Sequence, residues 1–426
     1  MELFENYIDD IDGIIKKKKT ASFKKFDNST KYLREQNEVG VYNERGQLNA
    51  RPIENTPKVL AKFDHSLMAQ LFGVHKYSVS QPIIGDHPDF KYIQQNEYEN
   101  HYAVSLFLDI KGSTSLSKKY DLLQVRLIKD TILTLAIHVC SFFGGHIQRL
   151  QGDGVFVYFV RREQHPNDAL INSLNASSMM CFFMNYVMNK YFKKEGIDPL
   201  KVRIGIDYGD NENVLWSRYG LSFCNELTTT SLHTDLASKL QSEANSNGIM
   251  LGHNIVEKLD IRENLIINNI QDPYIFDDYK KYDFKWEDYL RTFDFIKWNP
   301  NRELMLEIPQ FRLLCSIAEK DSINFKTYPQ NLFSIPKDYK IKFELQKSGS
   351  QYHKTPTEKI EWKIKNTGKE ALLKHEESPD ISKFNDTSEA SVTAAYLGHH
   401  DMECKIIRAH SDNLNVKHSV FVQGDN

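Results

Sequence analysis

Asp109 closes an apolar run that begins at Ala103, and Asp153 sits in a tight Gln151-Gly152-Asp153-Gly154 turn. Hard carboxylate oxygens of this kind suit Mg²⁺ or Mn²⁺, which keep several waters and bridge substrate phosphates instead of filling an all-protein cage. Two such ions, about 3.5 to 4 Å apart, lower the pKa of an attacking hydroxyl and neutralise charge on departing phosphates. That chemistry requires both aspartates to face one cleft, so the strands carrying them must be neighbours. Gly112, Ser113, Thr114 and Ser115 follow the first aspartate where a helix N-terminus would offer N–H groups and a favourable dipole to a triphosphate.

The elements that must position these groups are legible in the hydrophobic pattern. Ala103 to Ile110 reads as a buried strand delivering side chains to its C-terminal end. Ser113 to Ser115 offer helix caps, and Leu122, Val125, Ile128, Ile132, Leu135 and Val139 share one helical face that stops at Gly144 and Gly145. Ile147–Leu150 and Val155–Phe159 flank the Asp153 turn as a β-hairpin. A helix from about 168 to 191, a strand from Lys201 to Tyr208 and a helix from about 234 to 244 complete an alternating α/β unit.

This reading divides the chain into an N-terminal helical or irregular region (1–98), a catalytic domain (99–260), a connector (261–335) and a C-terminal β-sandwich (336–426). The first region opens with an amphipathic pattern, Leu3 to Ile15, closed by the solvated run Lys16 to Lys19, and has a second helical candidate near Val59 to Leu71. The last consists of short alternating strands, 339–345, 359–365, 391–396, 403–408 and 418–422, separated by Gly, Asn, Pro and Asp turns.

With 54 basic and 57 acidic side chains the net charge is -3, which gives no global attraction to nucleic acid or an anionic membrane, so any nucleotide site must be local. No apolar run of about 18 residues and no secretory pattern is present, and a cytoplasmic protein without membrane or nucleic-acid partners is expected. Five cysteines without a CxxC pair point to reduced, mostly buried thiols.

Phe107-Leu108-Asp109-Ile110-Lys111-Gly112-Ser113-Thr114 and Gln151-Gly152-Asp153-Gly154-Val155-Phe156 resemble the two metal-binding signatures of class III adenylate and guanylate cyclases. Val202 to Gly209 resembles the family's next strand. The resemblance covers about residues 102–260 and implies an α+β fold with a ferredoxin-like βαββαβ core. It also implies a head-to-tail homodimer with shared sites and two Mn²⁺ or Mg²⁺ ions held by Asp109, Asp153 and the Ile110 carbonyl. Leu108, Lys111, Gly112, Ser113 and Thr114 would then lie along the substrate. Diguanylate cyclases share this fold, but their Gly-Gly-Glu/Asp-Glu-Phe hairpin is absent.

The chain departs from that family where purines are read. Four residues before the second aspartate, a base-reading lysine or glutamate is replaced by Arg149. The Asn-x-x-x-Arg pair of the late helix aligns with Asp235 and Lys239; Lys239 still neutralises phosphate, but as a point charge without the guanidinium fork. Thr228 to Ser231 fall where the other base-reading residue lies, and Thr230 is the candidate to meet a pyrimidine edge.

Further on, Glu361 to Gly368 and Tyr396 to Cys404 resemble a sensor domain found after bacterial defence nucleotidyl cyclases. The combination resembles the Pycsar pyrimidine cyclases, which answer phage infection by making cyclic UMP or cyclic CMP for a separate effector. The expected reaction is cyclisation of UTP, somewhat preferred over CTP. The alternatives are an ordinary purine cyclase and a catalytically silent nucleotide-binding sensor. His399, His400 and Cys404 read as packing or partner contact rather than a metal site.

Overall fold

β1 (Ala103–Lys111) carries Val104, Leu106, Leu108 and Ile110 on one face, all buried, each contributing about 1.5–3 kcal/mol through loss of apolar surface. Their alternation with Ser105, Phe107 and Asp109 is the period of two that separates a strand's two faces. The computed structural model describes residues 63–74, 81–268, 274–276, 279–301, 303–374, 386–409 and 411–424. The amphipathic pattern at 3–15 and the lysine run lie outside the described residues. Of the second N-terminal candidate, the structure describes a helix at His65–Phe72.

β1 leads through a short turn and a four-residue helix (Leu116–Lys119) to α1 (Leu122–Phe142). The long helix is capped by Asp121, whose side chain accepts from the Gln124 amide in a capping box. Ser113 to Ser115 form only a 3₁₀ turn after Gly112, at φ 75°. They do not cap the long helix as the sequence reading expects, because the chain extends at Tyr120 and restarts at Asp121.

β2 (His146–Gln151) and β3 (Gly154–Phe159) form the hairpin, followed by α2 (Pro166–Phe182), which runs on through a π-helical segment to Lys194. β4 (Lys201–Gly209) completes βαββαβ. β5 (Leu215–Leu221) and β6 (Cys224–Thr230) form a second hairpin that pairs with Tyr98–Asn100 in a separate sheet. α3 (Leu232–Glu243), β7 (Gly248–Gly252), α4 (His253–Leu259) and β8 (Tyr279–Phe284) follow.

The main sheet runs β8-β7-β4-β1-β3-β2, with Tyr274–Phe276 and Ile266–Asn268 both pairing with β8. The antiparallel order β4-β1-β3-β2 is the ferredoxin-like arrangement. α3 packs on one face, so closely that a Cβ on Gly205 of β4 would lie 2.1 Å from the Gln241 amide nitrogen. Its first turn is anchored by the fully buried Asp207, which accepts from the Tyr279 hydroxyl at 2.6 Å and lies 3.0 Å from His233 Nδ1. Burial pushes the Asp207 carboxyl upward, and His233 and Tyr279 oppose that shift. At the other end of α3, Glu243 pairs with the buried Lys281 of β8.

The C-terminal unit is a two-sheet sandwich. β9 (Phe311–Ala318) and β10 (Lys340–Lys347) form one sheet with β12 (Glu389–Thr393) and the short strands 326–328 and 350–351. β11 (Glu358–Lys365), β13 (Gly398–Arg408) and β14 (Leu414–Gln423) form the other with 334–336. Trp362, Ile360, Cys404 and Ile406 from one sheet interdigitate with Phe343, Leu345, Leu313 and Cys315 from the other. β9 comes from the stretch the sequence reading treats as connector. Its eight-residue register with β10 shows that the sandwich begins before residue 336.

His399 and His400 are buried: the His399 ring stacks on Phe421 at 4.3 Å and His400 Nε2 lies 2.7 Å from the Tyr396 carbonyl. Arg262, just past α4, is buried against this sandwich and forms a two-pronged pair with Asp401 at 2.6 and 2.8 Å. Among the described residues, no helix is long and apolar enough to cross a membrane.

Candidate active site

Asp109 leaves β1 on the face that carries its cross-strand partner, Arg203 of β4. Arg203 Nη2 donates to Asp109 Oδ2 at 2.7 Å, while Nη1 donates to the Ser242 carbonyl of α3 at 2.8 Å. The guanidinium therefore ties the carboxylate to the helix. Asp153 projects from the β2–β3 turn, where Gly152 takes φ 66°, and its Oδ1 lies 3.6 Å from Lys129 Nζ of α1. Asp109 pairs across the sheet with Gly154, the residue after Asp153, so the two carboxyls share one corner and interact. Burial pushes the Asp109 carboxyl above the ordinary carboxylate range; Arg203 pulls it back, and Asp153 pushes it up again.

Two carboxyls gathered in one corner, with side chains 26% and 21% exposed, form a hard oxygen donor set open to a substrate. Their mutual repulsion is what a divalent cation would relieve, so the residues fit Mg²⁺ or Mn²⁺. Because Arg203 orients the first carboxylate, Arg203→Ala is expected to raise the divalent-ion concentration for half-maximal activity by about 10- to 100-fold. A metal titration of the purified variant checks this; an unchanged curve removes Arg203 from the site.

The sheet register sets a second group on the same face. One row crosses the strands as Arg203, Asp109, Gly154 and Gln151; the neighbouring row runs Gly205, Phe107, Phe156 and Arg149. Phe107 and Phe156 stack at 4.2 Å between the carboxylate corner and Arg149. Arg149 itself is gripped by Glu226 of β6: Nε donates to Oε1 at 3.0 Å, and Nη2 donates to Oε2.

Other sequence candidates distribute unevenly around this face. Thr230 is exposed and its hydroxyl bonds that of Tyr219. Thr228 and Thr229 are engaged by the buried Tyr158 hydroxyl, and Thr229 continues to Thr234 at 2.8 Å. Asp235 and Lys239 lie one turn apart on the solvent side of α3, whose Leu236, Ala237 and Leu240 face the sheet. Among the described residues neither pairs with Asp109 or Asp153.

Lys111, Gly112 and Thr114 are exposed at the end of β1, whereas Ser113 is buried. Leu108 and Ile110 turn their side chains into the opposite layer, leaving only backbone for the site. The helix expected to aim its dipole at a triphosphate is a single short turn here, so the N–H groups of the 112–115 loop remain but the long-helix dipole does not.

Sequence reasoning misses Arg203, Lys129 and Glu226. Arg203 had a usable signal, since alternation within Val202 to Gly209 puts it on the face opposite Val202 and Ile204. Lys129 and Glu226 had none, because only the packing of α1 and of the β5–β6 hairpin brings them in.

The family model of the Adenylyl/Guanylyl and SMODS C-terminal sensor domain matches residues 285–423, taking in the strands from 311 onward. A Staphylococcus aureus protein named cytidylate cyclase is 37% identical over 351 residues, which is 79% of this chain and 81% of that protein. An Escherichia coli cytidylate cyclase is 40% identical over 43% of this chain and 41% of its own length. A uridylate cyclase from Gulbenkiania mobilis is 30% identical over 34% of this chain and 58% of its own.

Among solved structures, the adenylyl cyclase CyaB from P. aeruginosa is 21% identical with a TM-score of 0.39, covering 44% of this chain and 95% of that one. The guanylyl cyclase Cya2 is 18% identical with a TM-score of 0.38, covering 45% and 93%. With a βαββαβ unit that joins two aspartates at one corner, a sensor domain behind it, and a relative similar over four-fifths of its length, this chain belongs to the Pycsar-type family of cytidylate and uridylate cyclases.

Proposed function

We propose that the protein is a pyrimidine nucleotide cyclase that converts CTP, and less efficiently UTP, into the 3',5'-cyclic monophosphate and pyrophosphate. The observation that carries this reading is the convergence of Asp109 and Asp153 on one open corner of the sheet, in a chain of this family. The base preference reverses the lean toward UTP drawn from sequence. It follows the relatives named cytidylate cyclase, at 36 to 40% identity, over the one named uridylate cyclase, at 30%.

In this proposal the ribose 3'-hydroxyl attacks the α-phosphorus in line. The O3'–P bond forms, the bond from phosphorus to the β-phosphate oxygen breaks, and the hydroxyl proton passes to solvent. Mg²⁺ or Mn²⁺, held by Asp109, Asp153 and the Ile110 carbonyl, would supply a lowered pKa for that hydroxyl and charge neutralisation on the phosphates. Arg203 orients Asp109, the Gly112–Thr114 backbone and Lys111 border the phosphates, and Arg149 meets the base. Lys239 neutralises phosphate and Asp235 takes ribose hydroxyls.

Because Asp235 and Lys239 face solvent, a homodimer is proposed in which they complete the partner's site. The catalytic domain then continues past the expected boundary at 260 to include β8 of the main sheet, and the C-terminal sandwich senses phage infection while a separate effector reads the product.

Incubating the purified protein with each of the four ribonucleoside triphosphates tests the reading, with cyclic CMP expected as the main product. Cyclic AMP or cyclic GMP as main product overturns it. Cyclic UMP as main product reverses the base preference alone.

A further inference from the structure

Arg149 does not stand free on the sheet face. Its Nε donates to Glu226 Oε1 at 3.0 Å and its Nη2 donates to Oε2, so one whole edge of the guanidinium is occupied. Glu226 is itself fixed: the Gln148 amide donates to Oε1 at 3.1 Å and to the Leu227 carbonyl at 2.8 Å. Gln148 is 1% exposed, which anchors the pair to the interior, while the Arg149 and Glu226 side chains remain 47% and 34% exposed. An exposed ion pair that served only stability would contribute about 0–1 kcal/mol, and a buried glutamine is a costly way to orient one. Its position offers another use, since Arg149 lies beyond the stacked Phe107 and Phe156 on the face that holds Asp109.

Arginine carries five N–H donors and no acceptor. With Nε and one Nη2 hydrogen spent on Glu226, the outward edge presents two parallel donors from Nη1 and Nη2. Cytosine offers two adjacent acceptors, N3 and O2, to such an edge. Uracil places an N3–H donor between its two carbonyls, so one guanidinium N–H would face another N–H and both would be left unpaired. Penalties of that kind, unlike a missing methyl, produce large discrimination.

We infer that Glu226 is a specificity-determining residue: by holding Arg149 in one orientation it presents a donor-only edge that selects cytosine over uracil. This rests on the reading of Arg149 as the residue that meets the base of a pyrimidine triphosphate. Freed from Glu226, the guanidinium turns about its side-chain bonds and can give single donors to either uracil carbonyl.

The test is kcat/KM for CTP and UTP, measured on the unaltered protein, on Glu226→Gln and on Arg149→Lys. Gln keeps the size of Glu226 but loses its charge and one acceptor; Lys keeps the charge of Arg149 but not the fork. In both variants the CTP:UTP ratio is expected to fall by about ten- to a hundredfold, the range of a good bidentate pair, because CTP turnover falls more than UTP turnover. An unmoved ratio, or equal loss on both nucleotides in both variants, overturns the assignment, as does a UTP preference in the unaltered protein. If the unaltered protein cyclises no pyrimidine, the functional reading itself fails, and that result is visible before any variant is made.

Discussion

On the proposed reading, Asp109→Ala and Asp153→Ala are each expected to lower kcat for cyclic nucleotide formation by about 10³-fold or more, because each would remove a charged metal ligand worth several kcal/mol to the transition state. The double variant is scarcely worse than either single one, since the two carboxylates act as a unit. Product chromatography measures the loss, and circular dichroism shows the fold retained. A second readout separates this from a structural role. The pair is held together in spite of burial and mutual repulsion, which raise the Asp109 carboxyl above its ordinary range. Asp153→Asn should therefore leave the metal-free melting temperature unchanged or higher. A variant that melts markedly lower, or one that still cyclises at the unaltered rate, removes the carboxylates from the mechanism.

The second large effect is on stability. Arg262 is 6% exposed, and Asp401 accepts both of its Nη groups and the Ser419 hydroxyl, while Arg262 Nε donates to the His399 carbonyl. Asp401→Ala leaves the guanidinium buried and uncompensated, at a cost of about 3–5 kcal/mol. The melting temperature should fall on the order of 10 °C. Adding Arg262→Leu should recover much of this, because removing both charges spares the desolvation of each.

Burial alone would raise the Asp401 carboxyl, but Arg262 outweighs it and holds the group well below the ordinary range. A depressed folded pKa gives stability that is present above the unfolded value, about 3.9, and is lost as pH falls through the folded one. The gap between the unaltered protein and Asp401→Ala should thus stay level from about pH 5 to 8 and close only in strong acid. Thermal melts across pH check this; a gap that narrows between pH 8 and 5 contradicts the assigned charge state.

Arg262 follows α4 of the catalytic unit, and Asp401 lies within β13 of the sandwich, so this pair fastens the two regions. A lysine in the short helix after β11 (Lys369–Leu373) repeats the theme: Lys369 pairs with Glu257 of α4 at 2.7 Å, and its amide donates to Asp260 at 2.7 Å. Asp401 lies in the Tyr396–Cys404 stretch that resembles the sensor domain, but nothing in the sequence linked it to Arg262, an ordinary charge far away in the chain.

What the sequence determined by itself was local. The apolar run Ala103 to Ile110 specified β1 and put Asp109 at its end, and the Gly-flanked turn placed Asp153 at a hairpin tip. The helical period named the buried face of α1, and α3 begins two residues before the start expected near 234. These features depend on neighbours within a few residues, so the chain states them directly. The cap of α1 was misread because three hydroxyl residues preceded the true one, Asp121, and local rules rank all of them as caps.

Only the tertiary structure decided which side chains meet. The order β4-β1-β3-β2 brings Arg203 beside Asp109; the fold of the β5–β6 hairpin back over β2 brings Glu226 to Arg149; and the pairing of β9 with β10 moves the start of the sandwich into the presumed connector. Each depends on strand register across long sequence separations, and a one-residue slip would turn every such side chain to the opposite face. Residue types and periods supply the two carboxylates, but register and packing determine their companions.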